Sequence, residues 1–175
     1  NSPFAALQAG KAASKRITSK IHEYLLVFRK EGELDITGLK MDEINVVCLI
    51  HSDGYDFDYV LKLRNAVSRH LSGEWRFWVM TEEHRSVPDD INKIPLMDWG
   101  FSGPRSSWWY KLQIFDPTHH RGPLLYFDLD TVIVNKIDWI TQQSLDYFWT
   151  VRDFRFLWNP ASQLANSSIM WFDTA

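Results

Sequence analysis

An apolar run that ends in two acids constrains this chain more than any other stretch. Residues 124–134 read Leu-Leu-Tyr-Phe-Asp-Leu-Asp-Thr-Val-Ile-Val, and the first four predict a strand buried in a parallel or mixed sheet. Side chains two apart in an extended chain share one face, so Asp128 and Asp130 can point at one spot. Such carboxylates repel each other unless a cation or proton lies between them. The pattern predicts a metal site; the alternative is a surface turn, where acids are common.

The rest of the hydrophobic pattern alternates between strands and helices. Strands are predicted over residues 44–50, 75–80, 94–97, 148–151 and 168–172. Helices are predicted around Val60, Leu63, Val67 and Leu71 with Asp56 as the N-cap, around Trp108, Leu112 and Phe115, and over residues 138–147. Strands that alternate with helices indicate an α/β layered sheet.

Residues 1–43 differ from the remainder, so we expect an N-terminal helical extension followed by a domain over residues 44–175. Apolar residues recur there at helical spacing, namely Ile17, Ile21, Tyr24, Leu25 and Phe28. Residues 11–30 also contain six basic side chains and one acid. A basic amphipathic helix can lie on an anionic membrane, but a helix packed on the domain with solvated charges is favoured. Because the remainder is acidic, nucleic-acid binding is not expected.

Composition narrows the class further. Nine Trp and eleven Phe among 175 residues are a surplus, and such rings often line ligand grooves as well as cores. The single cysteine, Cys48, excludes an internal disulfide framework and fits a reducing compartment. No apolar run approaches the roughly 20 residues that span a bilayer. We expect a cytoplasmic protein, with peripheral membrane contact through residues 11–30 as the alternative.

Two polar loops follow predicted strands. In open α/β sheets, ligands bind beyond the carboxyl ends of the strands, where His51-Ser52-Asp53-Gly54-Tyr55 and the Asp128–Asp130 stretch would both lie. Tyr55 could stack on a nucleoside base while Asp53 accepts a hydrogen bond from it. Alone, the first loop is an ordinary turn before a helix. Paired with a metal site at the same sheet edge, it predicts a nucleotide pocket.

Four segments, in order, resemble GT-A fold glycosyltransferases, and family 8 in particular. They are the strand and loop over residues 47–55, Trp109-Tyr110-Lys111-Leu112, the Asp-x-Asp motif in Tyr126-Phe127-Asp128-Leu129-Asp130, and Asn166-Ser167-Ser168-Ile169-Met170. The resemblance covers about residues 44–175. It implies a Rossmann-like GT-A fold, with a central, mostly parallel mixed sheet flanked by helices.

The resemblance also implies an activity, the metal-dependent transfer of a sugar from a nucleotide-diphosphate sugar. The donor would be a UDP-sugar, and the acceptor a saccharide, a lipid-linked group or a protein. Mn²⁺ or Mg²⁺, held by Asp128 and Asp130, would neutralise the diphosphate as the glycosidic bond breaks.

By the same resemblance, particular residues acquire roles. The donor-binding set would be His51, Ser52, Asp53, Tyr55, Lys111, Asp128, Asn166, Ser167 and Ser168. The catalytic candidates would be Asp128, Lys111 and Asp153. Two of them have simpler explanations: Lys111 could be a solvated lysine on a helix, and Asp153 could form a structural salt bridge with a neighbouring arginine.

The chain departs from the family in two places. Ser168 replaces the usual glycine, which narrows the space near the sugar. The family's later histidine metal ligand and much of its acceptor-binding part have no counterpart here, and His119 and His120 precede the motif strand. We therefore expect either a fragment or a domain that binds a nucleotide sugar without efficient transfer.

Two rival functions use similar residues. A phosphatase of the haloacid dehalogenase type also places Asp-x-Asp after an apolar strand, with the first Asp as the nucleophile. Its pattern requires a threonine where this chain has Val132, since Thr131 comes one place early. Calcium binding through Asp53, Asp56 and Asp58 is excluded because the closing Glu of such a loop is absent.

Overall fold

The computed structural model describes residues 25–29, 43–100, 106–116, 118–119, 122–161 and 164–174. Its strands are β1 (Leu25–Arg29), β2 (Ile44–Leu49), β3 (Trp75–Thr81), β4 (Asn92–Pro95), β5 (Pro123–Phe127), β6 (Tyr147–Arg152) and β7 (Ala165–Asp173). Its α-helices are α1 (Asp58–His70), α2 (Ser106–Trp109) and α3 (Asp138–Thr141). Short 3₁₀ helices cover Ser52–Gly54, Tyr110–Phe115 and Phe154–Leu157.

These seven strands form one mixed sheet in the order β1-β6-β7-β5-β2-β3-β4. The neighbours β5, β2, β3 and β4 run parallel, whereas β7 is antiparallel to both β5 and β6, and β1 is antiparallel to β6. The predicted α/β class is therefore confirmed. The predicted mixed sheet is also confirmed: β2, β3, β4, β5 and β6 run in one direction, and β1 and β7 run in the other.

The order of the strands creates a switch point between β2 and β5. The chain runs from β2 outward through β3 and β4, and then returns to place β5 on the opposite side of β2. Connections leave β2 and β5 in opposite directions, so a crevice opens beyond their carboxyl ends. The loop after Leu49 and the acids after Phe127 both lie at this edge.

Two apolar layers cover the sheet, one on each face. Alternate side chains of a strand point to opposite faces, so Val46 and Cys48 join a cluster with Val60 and Leu63 of α1. Residues of the opposite parity join a second cluster that includes Val47, Tyr126, Met170 and Ile114, the last from the 3₁₀ helix Tyr110–Phe115. That short helix therefore lies on the face opposite α1.

Several predicted boundaries are corrected. Residues 25–29 form a strand paired with β6, so the expected helical stripe does not continue through Leu25 and Phe28. Pairing along β6 satisfies backbone groups that an unpaired edge would leave open, which can outweigh a helical pattern. The other residues of that stripe, Ile17, Ile21 and Tyr24, lie outside the described part of the chain, as do residues 11–24 of the basic segment.

Smaller differences concern element ends. The helix predicted over residues 138–147 stops at Thr141, because Tyr147 already begins β6. The strand predicted over residues 94–97 is β4, which is shifted two residues earlier. Phe57, not Asp56, is the N-cap of α1, although the Asp56 carboxylate accepts a hydrogen bond from the Asp58 N–H at 2.8 Å. No helix within the described residues is both long and apolar enough to cross a bilayer.

A buried glutamine attaches the 3₁₀ helix Tyr110–Phe115 to the chain after β4. The Gln113 side chain is fully buried. Its amide donates to the Met97 carbonyl oxygen at 2.7 Å and accepts from the Met97 N–H at 2.9 Å. The amide thus bonds both backbone groups of Met97, as the backbone of a neighbouring strand would. It thereby holds the helix that carries Lys111 in position.

We predict that Gln113→Leu lowers the free energy of unfolding by about 2 kcal/mol, because both Met97 backbone groups lose their partners. Urea unfolding followed by fluorescence measures the change. Gln142→Leu is the matched control, since Gln142 is exposed and its replacement should stay within about 0.5 kcal/mol. Equal stabilities for the two variants would contradict the structural role of Gln113.

Candidate functional site

Asp128 is fixed at the carboxyl end of β5 by its backbone. Its N–H donates to the Ser168 carbonyl oxygen of β7 at 2.8 Å, and its own carbonyl oxygen accepts from the Thr131 N–H at 3.0 Å. The strand therefore ends in a turn that projects the acids into the crevice beyond β2 and β5. The predicted position of the Asp128–Asp130 pair at the sheet edge follows directly from this geometry.

One oxygen of Asp128 has two donors. The Lys111 Nζ lies 2.6 Å from Asp128 Oδ1, and the Tyr126 hydroxyl donates to the same oxygen at 2.8 Å. Both side chains of the ion pair are mostly buried, with 21% of Lys111 and 28% of Asp128 exposed. We call Lys111, Tyr126, Asp128 and Ser167 the Asp128 cluster. Charged donors make such hydrogen bonds strong, so the cluster ties β5 to the 3₁₀ helix on the sheet's face.

Lys111 also reaches β7. Its ammonium donates to Ser167 Oγ at 3.2 Å and to the Ser167 carbonyl oxygen at 3.5 Å, and it lies 5.2 Å from the centre of the Tyr126 ring. Ser167 lies where β7 bulges: the partner of Thr150 is Met170, but the partner of the next β6 residue is Asn166. Bulges redirect side chains at sheet edges and are common beside functional sites.

Tyr126 remains a donor because of its surroundings. Burial, followed by the negative charge of Asp128, raises the pKa of the Tyr126 hydroxyl well above its ordinary value. The phenol therefore keeps its proton and can hold the carboxylate in one orientation. Sequence reasoning treated Tyr126 only as part of an apolar strand, although a tyrosine two residues before an acid on the same strand face was a usable signal.

The predicted nucleotide loop lies beside the two acids. Tyr55 is 41% exposed, and its ring meets the Tyr59 ring edge-on with centroids 5.1 Å apart. The negative charge of Asp130, with smaller effects of burial, Tyr59 and Asp128, raises the pKa of the Tyr55 hydroxyl. Tyr55 therefore lies within electrostatic range of both acids of the motif, of which Asp130 is exposed.

His51 packs against the helix that carries Lys111. Its imidazole stacks on the Tyr110 ring with centroids 4.4 Å apart and an angle of 18° between the planes. Within the described residues, the buried Nδ1 of His51 has no hydrogen-bond partner. A ring stack of this kind joins the first loop to the Asp128 cluster through consecutive residues, Tyr110 and Lys111.

An acid that the sequence did not single out holds the same loop. Ser52 has a left-handed backbone with φ of 60°, which is uncommon for a residue with a side chain. Its N–H donates to Glu82 Oε1, and its carbonyl oxygen accepts from Arg85 Nη2 at 2.9 Å. Arg85 Nε and Thr81 Oγ1 each donate to Glu82 Oε2 at 2.9 Å. Glu82 directly follows β3, so the rule about strand ends could have identified it.

The remaining predicted residues are less closely tied to the cluster. Asn166 Oδ1 accepts from the Ser168 N–H at 2.9 Å and from Ser168 Oγ at 2.6 Å, so these two side chains stabilise the bulge. Asp153 accepts from the Arg155 N–H at 2.9 Å and lies 3.6 Å from Arg155 Nε. These Asp153 contacts match the structural alternative and lie outside the Asp128 cluster. The Asp53 side chain is outside the described structure.

The acids supply oxygen ligands, which suit a hard divalent cation. Within the described residues, no three His, Cys, Asp or Glu side chains are placed to hold a metal ion together. A cation held by Asp128 and Asp130 would need its other ligands from water or from a bound phosphate. The donor set is compatible with Mn²⁺ or Mg²⁺ shared with a ligand, and it does not form a closed protein site.

Neither the models of known protein families nor the curated proteins that were searched yield a match to this chain.

The contacts of Glu82 predict an acid dependence of stability. Burial alone would raise its pKa, but hydrogen bonds from Arg85, Ser52 and Thr81 lower the pKa of Glu82 from 4.5 to about 2. The folded state thus binds this proton less readily than the unfolded chain. The resulting stabilisation is fully present above about pH 4.5 and is lost as the pH falls through about 2.

We predict that Glu82→Gln lowers the free energy of unfolding at pH 7 by about 1 kcal/mol. The free energy of unfolding of the parent protein should fall between pH 4.5 and pH 2 as Glu82 takes up a proton. In the variant this fall should be smaller, because no carboxylate at position 82 remains to be protonated. Urea unfolding at a series of pH values measures both effects. Glu83→Gln, at an exposed neighbour, is the matched control. If Glu82→Gln and Glu83→Gln both show the same pH dependence of the free energy of unfolding as the parent protein, the Glu82 contacts do not stabilise the loop.

Proposed function

We propose that this chain binds a nucleotide-diphosphate sugar, most simply a UDP-sugar, and acts as a metal-dependent glycosyltransferase with a Rossmann-like GT-A fold. One observation carries the proposal. At the β2/β5 switch point, an aromatic loop, two carboxylates and a lysine from three separate stretches of the chain lie at one edge of the sheet, with Lys111 2.6 Å from Asp128 and Tyr55 within electrostatic range of both acids. Each has a counterpart in such a ligand. The aromatic loop suits the base, the carboxylates suit a cation-bound diphosphate, and the lysine suits the negative charge of the phosphates.

The base would lie against the first loop. Tyr55 is an exposed aromatic residue, and the exposed Gly54 lets a ligand approach the backbone closely after the end of β2. The hydrogen bonds of Glu82 and Arg85 to Ser52 hold this loop in place before a ligand binds. This preorganisation reduces the entropy cost of binding. Asp53 and His51 complete the proposed base- and ribose-binding set.

The diphosphate would lie over the motif acids. Asp130 is exposed and Asp128 lies beside it, so a divalent cation could join both carboxylates to phosphate oxygens. When bound, the cation stabilises negative charge on the departing diphosphate. The chain's own residues orient the groups: Tyr126 fixes Asp128, and Lys111 supplies a positive charge at the same point.

The sugar would extend toward the β7 bulge. Ser167 already contacts Lys111, and Asn166 and Ser168 hold the bulge by their mutual hydrogen bonds. The Ser168 side chain limits the space there, so we expect a preference for a donor sugar that is small at the position facing it. Asp153 stays a catalytic candidate, and Arg155 would have to release it before it could contact a sugar hydroxyl.

Calorimetric titration of UDP with and without Mn²⁺ tests the donor site. We predict that Mn²⁺ strengthens UDP binding at least tenfold, and that Asp130→Asn removes most of this gain because one carboxylate is lost. Asp146→Asn is the matched control, since Asp146 is exposed before β6, at the other edge of the sheet. If the affinity for UDP is the same with and without Mn²⁺ and is unchanged in Asp130→Asn, the proposal of a metal-bridged site is wrong.

A second assay separates transfer chemistry from binding alone and from phosphatase activity. Incubation with UDP-glucose or UDP-galactose and Mn²⁺ should release UDP, whereas a non-catalytic binding domain would leave the donor intact. Hydrolysis of p-nitrophenyl phosphate with Mg²⁺, abolished by Asp128→Asn, would instead favour the phosphatase.

A further inference from the structure

Lys111 occupies one of the two Asp128 oxygens through which a divalent cation could be held at the motif acids. Its ammonium lies 2.6 Å from Asp128 Oδ1, the shortest range for an ion pair, and Tyr126 donates to that same oxygen. A metal ligated by Oδ1 would lie within a few ångströms of the ammonium. Two cations at such a separation repel each other strongly in a partly buried site. Lys111 and a cation on Oδ1 therefore exclude each other.

Ser167 contacts the Lys111 ammonium at the same time as Asp128 does. Ser167 Oγ lies 3.2 Å from Nζ, on the β7 side of the ammonium, and four carbons of flexible stem separate Nζ from the backbone. The side chain is also partly exposed at 21%, so it has room to turn toward the crevice. Meanwhile the Tyr126 hydroxyl holds Asp128 by itself, because its bond to Oδ1 does not depend on Lys111.

We propose that Lys111 is an exchangeable counter-ion. In the free protein it neutralises Asp128; when cation and nucleotide bind together, it leaves Asp128 and pairs with the diphosphate. The inference rests on the proposed function, and it adds a rule for the order of events at that site. A cation alone must displace Lys111 without a new partner for the ammonium. A diphosphate alone would draw Lys111 away and leave Asp128 without a counter-charge.

Each ligand therefore provides a partner for the charged group that the other ligand leaves unpaired. The cation replaces Lys111 at Asp128, and the diphosphate receives the released ammonium. Binding of the two is then mutually dependent, and the dependence is reciprocal by thermodynamic necessity. The chain binds the pair of ligands rather than either one. Such coupling would weaken the separate binding of the free cation or the free nucleotide relative to their joint binding.

The test measures Mn²⁺ binding without nucleotide, by loss of the free Mn²⁺ signal in electron paramagnetic resonance, and again with saturating UDP. In the parent protein, UDP should tighten Mn²⁺ binding by a large factor. In Lys111→Gln, Mn²⁺ alone should bind about tenfold tighter than in the parent, and the tightening by UDP should shrink about tenfold, within the usual range of coupling between sites. Lys111→Arg, which keeps the charge, should resemble the parent in the absence of UDP.

Controls separate this exchange from a general change of charge. Arg69→Gln removes an exposed charge in the last turn of α1, at the opposite edge of the sheet, and should leave both measurements unchanged. Circular dichroism verifies that each variant is folded. If Lys111→Gln binds Mn²⁺ alone no more tightly than the parent and keeps the full UDP effect, counter-ion exchange is wrong. If the parent binds no UDP even with Mn²⁺, the proposed function itself fails, and that result is seen before any variant is compared.

Discussion

A carboxylate that ends a buried strand requires a counter-charge, and the organisation of this protein depends on how that requirement is met. Asp128 receives a lysine and a tyrosine hydroxyl at a single oxygen. The lysine comes from the helix on one face of the sheet, the tyrosine from β5, and the neighbouring serine from the bulge of β7. One charge thus connects three elements, and it makes the sheet edge a defined site instead of a set of loose loop ends.

The same edge is stabilised a second time, one strand away. Glu82, at the end of β3, holds the backbone of Ser52 at the end of β2, with Arg85 completing the arrangement. The two polar groupings flank the crevice at the switch point, where an incoming ligand would meet exposed Tyr55 and Asp130. Neither depends on solvent-exposed ion pairs, which contribute little to stability.

Most strands were predictable because their residues obey local rules. Ile44–Leu49, Trp75–Thr81 and Pro123–Phe127 are apolar runs bounded by polar loops, and each appears within two residues of its expected position. The region after residue 138 was less predictable, since its apolar residues serve a short helix and then a strand without a clear break. Residues 25–29 pair with β6, a contact across more than a hundred residues that no local pattern contains.

The sequence by itself determined that acids and an aromatic ring would follow particular strands and that a lysine would lie on a short helix before β5, because composition and hydrophobic periodicity are local properties. It therefore predicted the α/β class and the place of Asp128, Asp130 and the first loop at the carboxyl ends of β5 and β2. Only the tertiary structure decided which groups meet: Lys111 and Tyr126 at Asp128, and Glu82 and Arg85 at Ser52. These contacts depend on strand order and on the β7 bulge, which arise from long-range pairing. The partner of a carboxylate is the donor that lies nearest to it in space, and separation along the sequence does not reveal which donor that is.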